Sequence, residues 1–261
     1  MRIVRFVSQG KTKHGLLSQN TISGFLGSPF THSKHISHIN SPPLLDGNTY
    51  KIDNVRLLAP CLPSKIICLG LNYRSHVDEL KLPMPPLPLI FLKPSTAVIG
   101  PGDEIVLPHG WKRIDYEGEL AVVIGKKAKN IPEEAAKEYV LGYTCFNDVT
   151  DRHAQAADGQ WTRAKGYDTF APIGAWIETE VTPDNLKLET YLNGELRQSA
   201  STSDLIFGVS KLVSFISSVM TLLPGDVIAT GTPSGIGQMN PGDIVEVKIQ
   251  NIGTLKNSVV A

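Results

Sequence analysis

Cysteine is scarce in this chain: Cys61, Cys68 and Cys145 make an odd count with no tight pairing pattern. That fits a reducing cytosol better than a disulfide framework. Net charge is absent as well, because 25 Lys and Arg residues face 25 Asp and Glu residues. A chain without a basic field is not drawn to nucleic acid or to an anionic membrane surface, and no like-charge block marks a disordered tail. No apolar run approaches the length of a membrane span, and the opening MRIVRFVSQGKTKHG lacks the apolar stretch of a signal peptide. The expectation is a soluble cytoplasmic protein with no nucleic-acid and no membrane partner.

Turn-forming residues are plentiful, with 18 Pro and 23 Gly in 261 residues, so strands should outnumber helices. Residues 1–58 read as a small β-rich N-terminal region: MRIVRFV and HGLLS as strands, then the polar, Pro-broken SPFTHSKHISHINSPPLL. Residues 59–261 carry the sharper patterns and should form the main domain. Ile66-Ile67-Cys68-Leu69 and LIFLKP read as buried strands, and the LPMPPLPL segment between them can continue neither sheet nor helix, which makes it a candidate lid. NIPEEAAKEYVLGY is expected to be a helix, capped by Asn130 and stopped before Gly142. LKLETYLNGELRQ reads as a hairpin turning at Asn193-Gly194. Val209, Leu212, Val213, Ile216, Val219 and Met220 fall at helical spacing ahead of Pro224-Gly225.

The chemistry starts in RIDYEGELAVVIG, residues 113–125, where Glu117 and Glu119 flank a single glycine at the head of an apolar run. In a strand, residues two apart share a face, so two carboxylates would sit side by side and repel. A divalent cation is an economical compensation, since Mg²⁺ and Mn²⁺ take oxygen ligands. Asp148 in CFNDVTDR, an acid at the end of another apolar run, is a candidate third ligand. The competing explanation is a charged strand edge that guards against edge pairing.

Five ordered stretches decide between these: GLNYRSHVDEL, DYEGELAVVIG, NDVTDRHAQ, AKGYDTFAPIG and ATGTPSGIG. Together they resemble the fumarylacetoacetate hydrolase family over residues 60–261. The resemblance implies a mainly β fold with some helix (α+β), a mixed β-sheet roll of that family's C-terminal type. It implies Glu117, Glu119 and Asp148 as metal ligands and Mg²⁺, or Mn²⁺, as the cofactor. It further implies His76, Glu79 and Lys165 as catalytic residues, and Arg152, Gln155 and Thr232 as substrate-binding ones. His76 would move a proton while Glu79 orients its ring, Lys165 would stabilise developing negative charge, and Arg152 suits a distal carboxylate. A further aspartate ligand found in the hydrolase that names the family, seven residues before the histidine, is replaced here by Leu69. By the same resemblance the partner would be a small-molecule 2-oxo or dicarboxylic acid, and the assembly a homodimer.

The implied reaction is hydrolysis of an acylpyruvate or decarboxylation of oxaloacetate, in either case through a metal-stabilised enolate. Isomerisation or decarboxylation of 2-hydroxyhepta-2,4-diene-1,7-dioate-type compounds and dehydration of sugar acids are the alternatives within the family. A non-catalytic 2-oxo-acid-binding protein is the alternative of another class. Other signals carry less. His32, His35 and His38 lie at intervals of three without a Cys or acidic partner and read as a solvated loop rather than a zinc site. Ser75, Ser210 and Ser234 sit in no nucleophile elbow.

Overall fold

A computed structural model of the chain describes residues 1–30 and 44–261, so the His32, His35 and His38 reading lies outside the described residues. The chain opens with β1 (Arg2–Ser8), β2 (Lys11–Ser18), β3 (Thr21–Phe25), β4 (Leu45–Lys51) and β5 (Arg56–Leu58). Next come β6 (Ile66–Gly70), α1 (Arg74–Leu80), β7 (Leu89–Lys93), β8 (Val98–Ile99) and β9 (Glu104–Val106). The centre of the chain forms β10 (Ile114–Tyr116), β11 (Gly118–Ile124), β12 (Val140–Asn147), β13 (Thr150–Asp151), α2 (Arg152–Asp158) and α3 (Thr162–Lys165). Then follow β14 (Ala171–Pro172), β15 (Ile177–Glu178), β16 (Lys187–Leu192), β17 (Glu195–Ser201) and α4 (Val209–Val219). The last strands are β18 (Val227–Ala229), β19 (Gly237–Met239), β20 (Ile244–Ile249) and β21 (Gly253–Val260). The fold is mainly β with few helices.

The largest sheet runs β4-β3-β2-β1-β15-β12-β11-β18-β6-β7, with β5 joined to β1. It is mixed, since β18 and β6 are parallel while most neighbours are antiparallel. The N-terminal strands extend this same sheet through the pairing of β1 with β15. The second large sheet is β17-β16-β20-β21-β9. At the centre, β11 is buried on both faces: Leu120, Val122 and Ile124 enter one core cluster, Ala121 and Val123 another. That is why its sequence is continuously apolar instead of alternating. Among the described residues no helix is long and apolar enough to cross a membrane.

The Asn193-Gly194 hairpin joins β16 and β17, both turn residues having positive φ (54° and 80°), as a two-residue primed turn requires. The amphipathic helix forms as α4, burying Val209, Leu212, Val213 and Ile216. The helix expected after Asn130 does not form as an α-helix. Residues 133–139 make a 3₁₀ segment, and Asn130 does not cap it, having φ of 52° and donating its N–H to the Ser217 carbonyl at 3.0 Å. Gly125 N–H, 2.7 Å from the Tyr139 carbonyl, ties down the other end. With both ends anchored by neighbouring elements, tertiary hydrogen bonds override the local propensity.

Candidate active site

The acidic pair lies where β10 and β11 part. Glu117 is not itself in a strand; it occupies the break between β10, in a small three-stranded sheet, and β11, in the large one. The residue between the two glutamates has to be glycine: a Cβ on Gly118 would stand 2.0 Å from the Thr190 hydroxyl oxygen of β16. Its N–H instead donates to Gln198 Oε1 at 3.0 Å, so the second sheet docks directly against the site.

Glu117, Glu119 and Asp148 are each nearly fully buried, and one oxygen of each lies within 4.8 Å of the others. Lys165 Nζ, from α3, donates to Glu117 Oε2 at 2.8 Å and to Asp148 Oδ2 at 2.6 Å. Lys93 Nζ, at the end of β7, donates to Asp148 Oδ1 at 2.5 Å and to the Val149 carbonyl at 3.1 Å. Among the described residues Glu119 has no cationic partner; its Oε2 accepts the Gly231 N–H at 2.7 Å. Gly231 makes this approach with φ of 102°, and a Cβ there would meet the Cβ of Asn72 at 2.8 Å.

The electrostatics follow from this geometry. Burial would push the Glu117 carboxyl upward, but the charges of Lys165 and Arg152 outweigh it and hold the group well below the usual carboxylate range. Glu119 moves the other way: burial, then the charges of Asp148 and Glu117, push it well above that range. Lys165 stays charged, since Asp148 and Glu117 outweigh the burial that would otherwise lower it. Three buried oxygen donors converging at one point, one of them without a cation, are the donor set a hard divalent metal takes. Glu117, Glu119 and Asp148 therefore fit a hard divalent cation.

His76, Arg152, Gln155, Lys165 and Thr232 line a cavity of about 390 Å³ together with Glu117 and Glu119, while Glu79 stands behind His76 and outside the lining. His76 and Glu79 share one face of α1, with Nδ1 of the ring 3.0 Å from Glu79 Oε2. Glu79 Oε1 accepts the Gly235 N–H at 3.0 Å, tying α1 to the 230–236 loop. Asp151 caps α2 by accepting the Ala154 N–H at 3.0 Å. That helix sets Arg152 and Gln155 one turn apart, linked from Nη1 to Oε1 at 3.0 Å. Arg152 also donates to Glu117 Oε1 at 2.5 Å and to Asp115 Oδ2 at 2.9 Å. The Thr232 hydroxyl donates to the Gly118 carbonyl at 2.9 Å and accepts from Gln198 Nε2 at 2.8 Å. Leu69, which replaces the further aspartate of the hydrolase that names the family, lines the cavity wall.

Sequence reasoning missed Lys93, Arg113 and Gln198. Lys93 carried a readable signal: a lysine closing the apolar run LIFLK is as misplaced as the glutamates unless an acid meets it. Gln198 had none, since its role arises only when β17 docks against Gly118.

Comparison with known proteins agrees with the geometry. Residues 65–260 match the family described as fumarylacetoacetate (FAA) hydrolase C-terminal, and residues 1–60 match an Rv2993c-like N-terminal family. Among solved structures, a 5-carboxymethyl-2-hydroxymuconate delta-isomerase from Mycobacterium smegmatis superposes with a TM-score of 0.91 at 43% identity, covering 100% of this chain and 99% of the other. A 2-hydroxyhepta-2,4-diene-1,7-dioate isomerase from Mycobacterium marinum gives 0.90 at 43% identity, covering 100% and 98%. The oxaloacetate tautomerase Fahd2a of Rattus norvegicus, a mitochondrial protein, is 41% identical over 79% of this chain and 70% of its own. The family match covers three quarters of the chain, and so the chain belongs to the fumarylacetoacetate hydrolase family of enzymes.

Proposed function

We infer that this enzyme acts on small 2-oxo acids in a divalent-metal-dependent reaction, moving a proton at the carbon next to the 2-oxo group, as in keto–enol or positional isomerisation. The observation that carries the reading is one cavity lined by Glu117, Glu119 and His76, with Asp148 completing the carboxylate cluster behind it and Glu79 at 3.0 Å from the His76 ring. A hard divalent cation held by Glu117, Glu119 and Asp148 would act as a Lewis acid on the 2-oxo group. With Nδ1–H donated to Glu79, His76 presents Nε2 to take and return the proton. Lys165, kept charged by its two carboxylates, stabilises negative charge developing on the substrate oxygen. Thr232 contributes to carboxylate binding once its hydroxyl turns from the Gly118 carbonyl into the cavity. The similarity to two isomerases and a tautomerase supports proton transfer as the common step.

Carbon–carbon cleavage, as acylpyruvate hydrolysis or oxaloacetate decarboxylation, is the second reading. It is favoured by the cavity volume of about 390 Å³, which leaves room for a water beside a four-carbon acid within reach of the same base. One experiment tests both. The decay of oxaloacetate enol absorbance and the release of pyruvate from oxaloacetate and acetylpyruvate are followed with Mg²⁺ and with EDTA, Glu117→Ala serving as control. The expected outcome is Mg²⁺-dependent enol decay without pyruvate, absent from the control. Pyruvate release above the free-ion background selects cleavage instead, and no metal-dependent change in any assay sinks the 2-oxo-acid reading.

A further inference from the structure

The cations lining the cavity are not equivalent. Among the described residues they are Arg113, Arg152 and Lys165. Lys165 is committed to Glu117 and Asp148. Arg152 is committed on all three nitrogens, to Asp115, Glu117 and Gln155, and its side chain is only 18% exposed. Arg113 differs: Nε and Nη2 both rest on Asp115, at 2.9 and 3.0 Å, and the side chain is 54% exposed.

Asp115 is fully buried and shared with Arg152. It therefore grips Arg113 by one edge of the planar guanidinium and fixes its orientation. Both N–H groups of Nη1 and the second N–H of Nη2 are left to meet an anion. The apolar part of the cavity wall, Leu69, Leu80, Trp161 and Ile236, offers a carboxylate nothing, and Thr232 is assigned above to the carboxylate beside the 2-oxo group. Withdrawing Arg152 toward a substrate would take one of two cations from each of the buried carboxylates Asp115 and Glu117, leaving Arg113 on the first and Lys165 on the second, a costly exchange.

We propose that Arg113 binds the far carboxylate of a dicarboxylic 2-oxo acid and so selects diacids over monoacids. The proposal rests on the function inferred above, and it transfers to Arg113 the distal-carboxylate role that the family resemblance implies for Arg152. Arg152 becomes the positioning residue that holds Glu117 and Asp115 in register with each other.

The test is calorimetric binding of 2-oxoglutarate and 2-oxopentanoate to the Mg²⁺-loaded protein. These acids have five carbons each and differ at the far end. The wild type is expected to prefer the diacid roughly tenfold, the scale of a half-exposed charge-assisted hydrogen bond. Arg113→Gln should erase that preference, and Arg113→Lys should retain part of it, keeping the charge without the fork. Melting temperature and Mg²⁺ affinity establish that each variant is folded; if Arg113→Gln is not, Arg113→Lys carries the test. An undiminished preference in a folded variant overturns the proposal, as does its collapse in Arg152→Lys alone. Failure of both acids to bind the wild type sinks the 2-oxo-acid reading itself, and this proposal with it.

Discussion

Two buried carboxylates in this protein, Asp226 and Glu119, are equally shut away from water and are treated in opposite ways. Asp226 accepts from Ser64 N–H at 3.1 Å, Ser64 Oγ at 2.6 Å, Lys65 N–H at 3.3 Å and Leu223 N–H at 2.8 Å, and it pairs with the Lys65 ammonium. Glu119 accepts one backbone N–H and faces two other carboxylates. A buried charge with every lone pair answered holds structure together, here by tying Ser64 and Lys65, just ahead of β6, to the turn before β18. A buried charge set beside like charges costs stability and persists where it has a task, which is the mark of a site.

Removing each carboxylate should separate the two roles. Glu119→Gln is expected to lower kcat/KM by about 10³-fold or more, the scale of losing a catalytic metal or an oxyanion donor. Its melting temperature in EDTA should not fall, because a repulsive charge is removed; an active variant would break the contrast. Asp226→Ala is expected to do the reverse, costing about 3 kcal/mol in urea unfolding as a buried pair loses one partner. Mg²⁺ affinity of the folded protein should stay within about threefold, a factor worth less than 1 kcal/mol.

His14 on β2, a half-buried titratable group, is a third kind and sharpens the comparison. Burial, then the nearby Arg5 charge, push it down from 6.5 to about 4. Because the folded pKa is depressed, the unfolded chain binds the proton first as pH falls. Stability present above pH 6.5 is therefore lost as pH drops toward 4. His14→Phe should flatten that part of the profile of unfolding free energy against pH, by up to about 3 kcal/mol at pH 4. An unchanged profile would assign the acid sensitivity to other groups. The smallest effect is expected from Asn193→Ala at the hairpin turn, about 1 kcal/mol in chemical unfolding, since alanine tolerates the left-handed backbone less well. A loss of activity there would show that β16 and β17 transmit strain to Gly118.

The elements legible in the sequence were those with strong local reasons. Asn193-Gly194, the α4 periodicity and the apolar run of β11 each have a period or a turn chemistry that few structures satisfy. The segment after Asn130 had comparable local signals and still became a 3₁₀ turn, because Ser217 and Gly125 hold its ends. The acidic cluster was legible as charge placed where apolar residues were due. Lys93 obeys the same logic at the end of β7, whereas Gln198 and Arg113 show nothing unusual in their local sequence.

By itself the sequence determined a mainly β chain of the fumarylacetoacetate hydrolase family, with Glu117, Glu119 and Asp148 as misplaced charges in apolar surroundings. Those conclusions depend on side-chain period and on residue type, which are local. Tertiary structure alone decided which cation answers which carboxylate. It bound Arg152 inward to Glu117 and Asp115, left one edge of Arg113 facing the cavity, and gave Glu119 no direct ion pair among the described residues. Such pairings join residues from separate strands and helices, and Coulomb interactions depend on distances that sequence separation does not encode.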